Sequence, residues 1–301
     1  MLTPKFKVIS DSCCDLSREV IAEHDIGIVP LYVAFSDGVY LRDYYDFDYQ
    51  SFYRRMMDHP GDYPKTSLPS VEDYIKTWEP YIKEGTPVLS ISMTSKMSGS
   101  VNSARMAKDE ILDTYPDAQI EVIDSLALTV LEGVFVLEAC RLRDAGKTLS
   151  EAAQILNDAR SGGRAYFTIG DLSYLSKGGR IGSLVKVAAV GLGLKPVILF
   201  KDGNISLSAI TRSRQKSLKE LARQAALFFS KNHEDPRDYI LGVGYGLLRE
   251  DGVALREMFL EALGEAGASA DPALLQIGTM VGAHNGPLLM GIVIFKKLQL
   301  A

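Results

Sequence analysis

Short apolar runs alternate with amphipathic stretches through the first half of the chain, the signature of an α/β layer. Lys7-Val-Ile-Ser10 predicts a strand, and Ser17 is placed to cap a helix running to about His24. Gly27–Val33 predicts a second strand, near a sheet edge because Pro30 lacks the N–H that a ladder requires. Pro87–Ser92 and Gln119–Asp124 predict two more strands, with helices over 70–83, 99–114 and 128–145. Ser161-Gly-Gly163 follows a helix predicted over Ser150–Arg160, and a boundary is expected within 145–164. Beyond it come strands at Ala165–Ile169 and Pro196–Phe200, a hairpin turn at Lys201-Asp-Gly-Asn204 and a returning strand at Ile205–Ala209. Helices over 213–231 and 251–266 flank a strand at Tyr239–Val243. Two closing strands, Ala273–Ile277 and Gly291–Phe295, bracket a glycine-rich loop.

At 301 residues, 47% hydrophobic and 24% charged, the chain can bury a sizeable core and has the length of two domains. Disorder and a disulfide-stapled mini-fold are excluded. Met1–Lys7 carries no secretory signal, and the longest apolar run, Ile181–Phe200, is broken by Lys186, Lys195, Pro196 and three glycines. No transmembrane segment and a cytoplasmic location are therefore expected. Cys13, Cys14 and Cys140 lack metal-ligand spacing, and the adjacent pair suits a disulfide poorly, so neither a structural metal nor an oxidised framework is expected.

The net charge of −5 divides unevenly, −9 over residues 1–150 and +4 over 151–301. Lys177–Arg223 holds ten basic residues against Asp202 and Glu220 alone, either a solvated surface or a face that meets something anionic. Asp37–Tyr49, with Asp37, Asp43, Asp46 and Asp48, lacks the glycine and closing glutamate of a calcium loop and reads as an exposed acidic loop.

Hydroxyls crowd three places. Ser95–Ser100 ends a strand and opens a helix, where free N–H groups and the dipole favour an anion; Ser98 could equally be a plain N-cap. Thr66-Ser-Leu-Pro-Ser70 precedes a helix whose Ser70 and Asp73 suit a capping box, which leaves Thr66 and Ser67 unassigned. His284 stands in the glycine-rich loop, a setting open to function. Lys177-Gly-Gly-Arg180 lets two cations face one object, or is an exposed basic turn. Asp11 and Asp124 lie at strand ends and suit capping better than chemistry. No Walker A loop, dinucleotide fingerprint, nucleophile elbow or Cys/His pairing is present.

Together these fragments resemble the DegV family of bacterial fatty-acid-binding proteins over nearly the whole chain. Ser10-Asp-Ser-Cys-Cys-Asp-Leu16 is similar to its Thr-Asp-Ser-x-x-Asp-Leu, and Thr66-Ser-Leu-Pro-Ser70 to its Thr-Ser-Gln-Pro-Ser, with Leu68 replacing glutamine. Ser95–Ala104 resembles Ser-x-Leu-Ser-Gly-Thr-Tyr-x-x-Ala, departing at Ser100 and Val101. Val122–Ser125, Leu175–Ile181, Lys195-Pro196 and His284-Asn-Gly-Pro287 fit further blocks, with Leu288 in place of a final glycine.

The resemblance implies two α/β domains, 1–160 with a mostly parallel sheet flanked by helices and 161–301 with a mixed or antiparallel sheet, and one long-chain fatty acid at their junction. Thr66, Ser98 and His284 would hold its carboxylate, with Ser67, Ser95, Gly99, Asn285 and Gly286 as a supporting loop set. Lys177, Arg180 and Arg212 would face a phosphate or a fatty acid kinase that phosphorylates the presented acid for phospholipid metabolism. The chain would then be a carrier subunit without metal or cofactor, not an enzyme. The competing readings are an enzyme acting on a phosphorylated small molecule, which lacks a credible nucleophile, and nucleic-acid binding, for which the basic segment offers Phe200 as its only aromatic.

Overall fold

The computed structural model describes residues 5–170, 172–184 and 193–299. The segment 185–192, inside the Ile181–Phe200 run, lies outside the described residues. β1 (Lys7–Asp11) is buried along its whole length, and α1 (Arg18–Glu23) starts where the Ser17 hydroxyl accepts from the Val20 N–H. β2 (Ile26–Val29) follows. The expected strand over 27–33 is in fact two: after Pro30 the chain leaves the first sheet and forms β3 (Tyr32–Ala34) in another. β2 is the edge strand of the first sheet, as Pro30 predicts, and its pairing ends at the residue before the one that lacks an N–H.

β4 (Leu41–Arg42), α2 (Tyr49–Asp58) and β5 (Lys65–Ser67) come next. The stretch read as an exposed acidic loop is folded inward at one point. Asp43 is fully buried and accepts from the hydroxyls of Ser12 at 2.8 Å and Thr279 at 2.6 Å. α3 (Val71–Lys83) carries the Ser70/Asp73 capping box, and β6 (Val88–Ser92), α4 (Ser100–Thr114), β7 (Ile120–Asp124), α5 (Thr129–Asp144) and α6 (Leu149–Ala159) complete the first half.

The second half holds β8 (Arg164–Thr168), α7 (Ser173–Lys177), β9 (Lys195–Lys201), β10 (Asn204–Thr211), α8 (Arg214–Asn232), β11 (Tyr239–Tyr245), α9 (Arg249–Leu263), β12 (Ala273–Gln276), α10 (Thr279–Asn285) and β13 (Met290–Lys296). The glycine-rich loop is thus largely a helix. Gly282 lies within α10, where a side chain would meet the Tyr53 ring, at 2.7 Å from Cε1.

Three sheets result. The first, β2-β1-β6-β7, is parallel throughout; β4-β3-β5 is antiparallel; the third, β10-β9-β8-β13-β11-β12, is antiparallel except for β11 with β12. The fold is α/β with one parallel and one mixed large sheet. α5 is buried on nearly every side, with Glu132, Glu138 and Arg143 buried among its apolar residues, and a single core joins Leu89 of the first sheet, Phe135 of α5, and Ile198 and Phe295 of the third. α8 and α9 cover the far face of the third sheet, and α3 and α4 the far face of the first. Among the described residues no helix is long and apolar enough to cross a membrane.

Candidate functional site

Thr66 arrives on β5 and His284 on the last turn of α10, far apart in sequence, and Thr66 Oγ1 shares a 2.8 Å hydrogen bond with His284 Nε2. The loop before α4 meets them. A side chain on Gly99 would touch Leu68 at 3.2 Å, which places Ser98 and Gly99 against the segment that carries Thr66 and Ser67. Arg180 comes from the turn after α7 and acts electrostatically on His284.

These residues open onto a cavity of about 250 Å³. Thr66, Ser67, Ser98, Arg180, His284 and Asn285 supply polar lining, and Met93, Met97, Val130, Phe167, Phe200 and Val293 are among its apolar walls. The walls come from both halves of the chain, α5 on one side and the third sheet on the other. Such a space suits a ligand with one polar group and a long apolar remainder.

The polar groups are prepared for an acceptor. Ser98 Oγ accepts from the Ser100 N–H at 3.2 Å and shares a 2.8 Å bond with Ser100 Oγ; it precedes Gly99, the true N-cap of the fifteen-residue α4, which has no side-chain cap. The first N–H groups of α4 therefore lie beside the paired Ser98 and Ser100 hydroxyls. Burial pushes the His284 imidazole down to about 4, with the Arg180 charge adding to the effect, so the ring is neutral at pH 7. A neutral imidazole beside hydroxyls can orient the donors that meet a carboxylate without itself being a buried charge.

Not every expected residue joins this group. Asn285 lines the cavity and donates to the Val281 carbonyl at 2.9 Å. Gly286 faces a neighbouring groove that also contains Leu288. Ser95 is exposed, its N–H donating to Asp124 at 3.2 Å; Lys177 and Arg212 are exposed and outside the lining. Of the departures, Leu68 lines the cavity, Ser100 and Val101 are buried in the first turn of α4, and Leu288 lies outside.

Sequence reasoning missed the wall that Cys13 and Thr129 contribute. Thr129 has φ of 52°, an unfavourable value for a β-branched residue, and its hydroxyl donates to Asp15. Behind it lies an acid nest of Asp11, Asp15, Asp43 and Glu132, all buried. Asp11 accepts from the N–H groups of Cys13 at 3.1 Å and Met93 at 2.9 Å, and Ser10 donates to Glu132 at 3.3 Å. Burial pushes all four carboxyls up, Asp11 to about 7, and the nearby Asp11 and Asp15 carboxylates raise Glu132 further. Asp11, Cys13 and Glu132 bring ligand-type atoms within 4.8 Å of one another. Both Asp11 oxygens are already engaged and burial also raises the Cys13 thiol, so the trio is better suited to holding protons than a cation.

A model of the DegV family matches residues 5–297. The chain belongs to the DegV family. A stearic-acid-binding protein of Eubacterium ventriosum superposes on it with a TM-score of 0.89 at 37% identity, covering 97% of this chain and 98% of its own. A DegV family protein of Thermus thermophilus whose structure concerns fatty acid binding gives 0.85 at 26% identity over 97% and 99% of the two chains. A DegV domain-containing protein of Clostridium perfringens is 28% identical over 285 residues, 94% of each chain. The DegV relationship thus spans the parallel sheet, the mixed sheet and the cavity between them.

Proposed function

We propose that this DegV protein buries one long-chain fatty acid between halves 1–160 and 161–301, with the carboxylate at Thr66, Ser98 and His284 and the tail along the apolar walls. The observation that carries this reading is the Thr66–His284 pair, 2.8 Å apart, at an otherwise largely apolar cavity. The stearic-acid-binding relative at 37% identity supports it. Hydroxyls, a helix N-terminus and a neutral imidazole offset the desolvation of an acid group. At ~0.8 kcal/mol per buried CH₂, sixteen methylenes contribute roughly 13 kcal/mol before association costs are subtracted.

On this reading the chain is a carrier, and a separate fatty acid kinase phosphorylates the carboxylate it presents. Arg180 at the cavity, with Lys177 and Arg212 exposed on the basic segment, would face that acidic reaction centre. The alternative, an enzyme for a phosphorylated small molecule, fits the apolar walls poorly. Titrating oleate into delipidated full-length protein tests the grip. Ser98→Ala and Thr66→Val should each weaken binding about tenfold, the worth of one hydrogen bond to a charged group; unchanged affinity would remove both from the head-group role.

A further inference from the structure

We infer that Gly178 is a positioning residue: its missing side chain lets His284 seat its Nδ1 edge against the Gly178 backbone, fixing the imidazole as the tautomer that carries its proton on Nε2. The inference rests on the fatty-acid reading only for its consequence in binding.

Two adjacent glycines follow α7 for different reasons. Gly179 has φ of +70°, a backbone that favours glycine whatever surrounds it. Gly178 has φ of −75° and ψ of −7°, an ordinary helical conformation open to any residue. Space is what restricts it. A Cβ at 178 would overlap His284 Nδ1 outright, come within 3.0 Å of Cε1, and lie 3.1 Å from the Tyr174 carbonyl oxygen. The imidazole therefore occupies the volume a side chain would fill.

That contact orients the ring chemically. Nε2 faces the Thr66 hydroxyl, and the buried Nδ1 has no hydrogen-bond partner among the described residues. A neutral imidazole has one N–H and one lone pair to place. Against the aliphatic backbone of Gly178 a lone pair loses less than an unmade N–H, because a C–H can still approach it weakly. The proton then belongs on Nε2, which donates to Thr66 Oγ1. The Thr66 hydroxyl hydrogen is left free to donate onward into the cavity, towards an acid group. Arg180, whose guanidinium also donates to the Gly178 carbonyl at 2.7 Å, faces the ring from the same turn and disfavours a second ring proton. One turn thus sets the position, tautomer and neutrality of His284 together.

The test compares full-length wild type, Gly178→Ala, His284→Ala and the double variant, with Gly162→Ala as a control because a Cβ there meets nothing within 4 Å. Ring nitrogen chemical shifts of histidine-labelled protein should show His284 as the Nε2–H tautomer, and Gly178→Ala should shift or broaden that signal while Gly162→Ala leaves it alone. Gly178→Ala should weaken oleate binding at least tenfold. In the His284→Ala background the added methyl should have no further effect on melting temperature or affinity. An unmoved His284 signal in Gly178→Ala, or an Nδ1–H tautomer in wild type, overturns the inference. If Gly178→Ala fails to fold, a folded double variant supports it and an unfolded one overturns it. Should His284→Ala bind oleate as tightly as wild type, the head-group reading fails, while the nitrogen spectra still decide what Gly178 does.

Discussion

The polar end of the cavity and the acid nest behind its Cys13–Thr129 wall are built from similar materials and reach opposite states. Both combine hydroxyls with ionisable groups, and both draw on residues distant in sequence. In the nest the acceptors are mostly engaged: Asp43 by Ser12 and Thr279, Asp11 by two backbone N–H groups, and Asp15 by Thr129. At the cavity Thr66 bonds to His284 and Ser98 to Ser100, and Thr66, Ser98 and His284 still face open space. One arrangement is closed and acidic, the other open and ready to donate. Polar density alone does not mark a binding site; donors left facing a dry cavity do.

The sharpest separation of the two regions comes from Glu132→Ala. Removing this fully buried side chain leaves a cavity and strips Ser10 of its acceptor, so urea unfolding should register a loss of about 3 kcal/mol. Oleate affinity of the folded protein should stay within threefold of wild type. A stable variant that no longer binds oleate would assign the nest to the site and dissolve the contrast.

Thr66→Val should show the converse. Its affinity falls about tenfold, worth about 1.4 kcal/mol, while its melting temperature remains within a few degrees of wild type. Differential scanning calorimetry on delipidated protein checks the second half, and a large drop in melting temperature would make Thr66 a structural residue instead.

Proton linkage gives a third, smaller difference. The folded state raises Asp11 from 3.8 to about 7, so the neutral acid is the favoured form in the native protein. That contribution is fully present below about pH 4 and fades as the pH climbs through about 7. Unfolding free energies measured from pH 4 to 8 should decline across that window, and Glu132→Gln, which places an amide donor beside Asp11, should flatten the decline. His284 has the opposite sign: with its value lowered to about 4, it weakens the fold only on acidification below about 6.5. Oleate affinity should therefore show no His284 step between pH 6 and 8. The smallest effect belongs to Leu68→Ala: this side chain is 41% exposed at the cavity edge, and oleate affinity should change by no more than about threefold.

Local chemistry was readable in the sequence wherever neighbours in the chain are also neighbours in space. The Ser17 cap, the Ser70/Asp73 box and the hairpin after Lys201 depend on residues a few positions apart, and all stand as expected. Pro30 marked an edge strand, which β2 is, but that the strand would split between two sheets depends on where β5 pairs, which local pattern does not encode. Gly282 and Gly286 suggested a loop, yet a helix runs over Thr279–Asn285 and contains Gly282, where Tyr53 leaves no room for a side chain. Thr66, Ser98 and His284 could be named through motif resemblance, whereas the Thr66–His284 bond spans 218 positions. Asp11, Asp15 and Asp43 of the acid nest stood in stretches the sequence marked, but nothing local joined them to Glu132, 122 residues from Ser10. Long-range convergence, not residue type, separates these cases.

Mass spectrometry of lipid extracted under denaturing conditions from freshly purified full-length protein tests the central claim most directly. The account predicts close to one long-chain fatty acid per chain, retained through purification and reduced in the Thr66→Val and His284→Ala variants. Wild-type protein that emerges empty and also fails to take up added oleate or palmitate would contradict it.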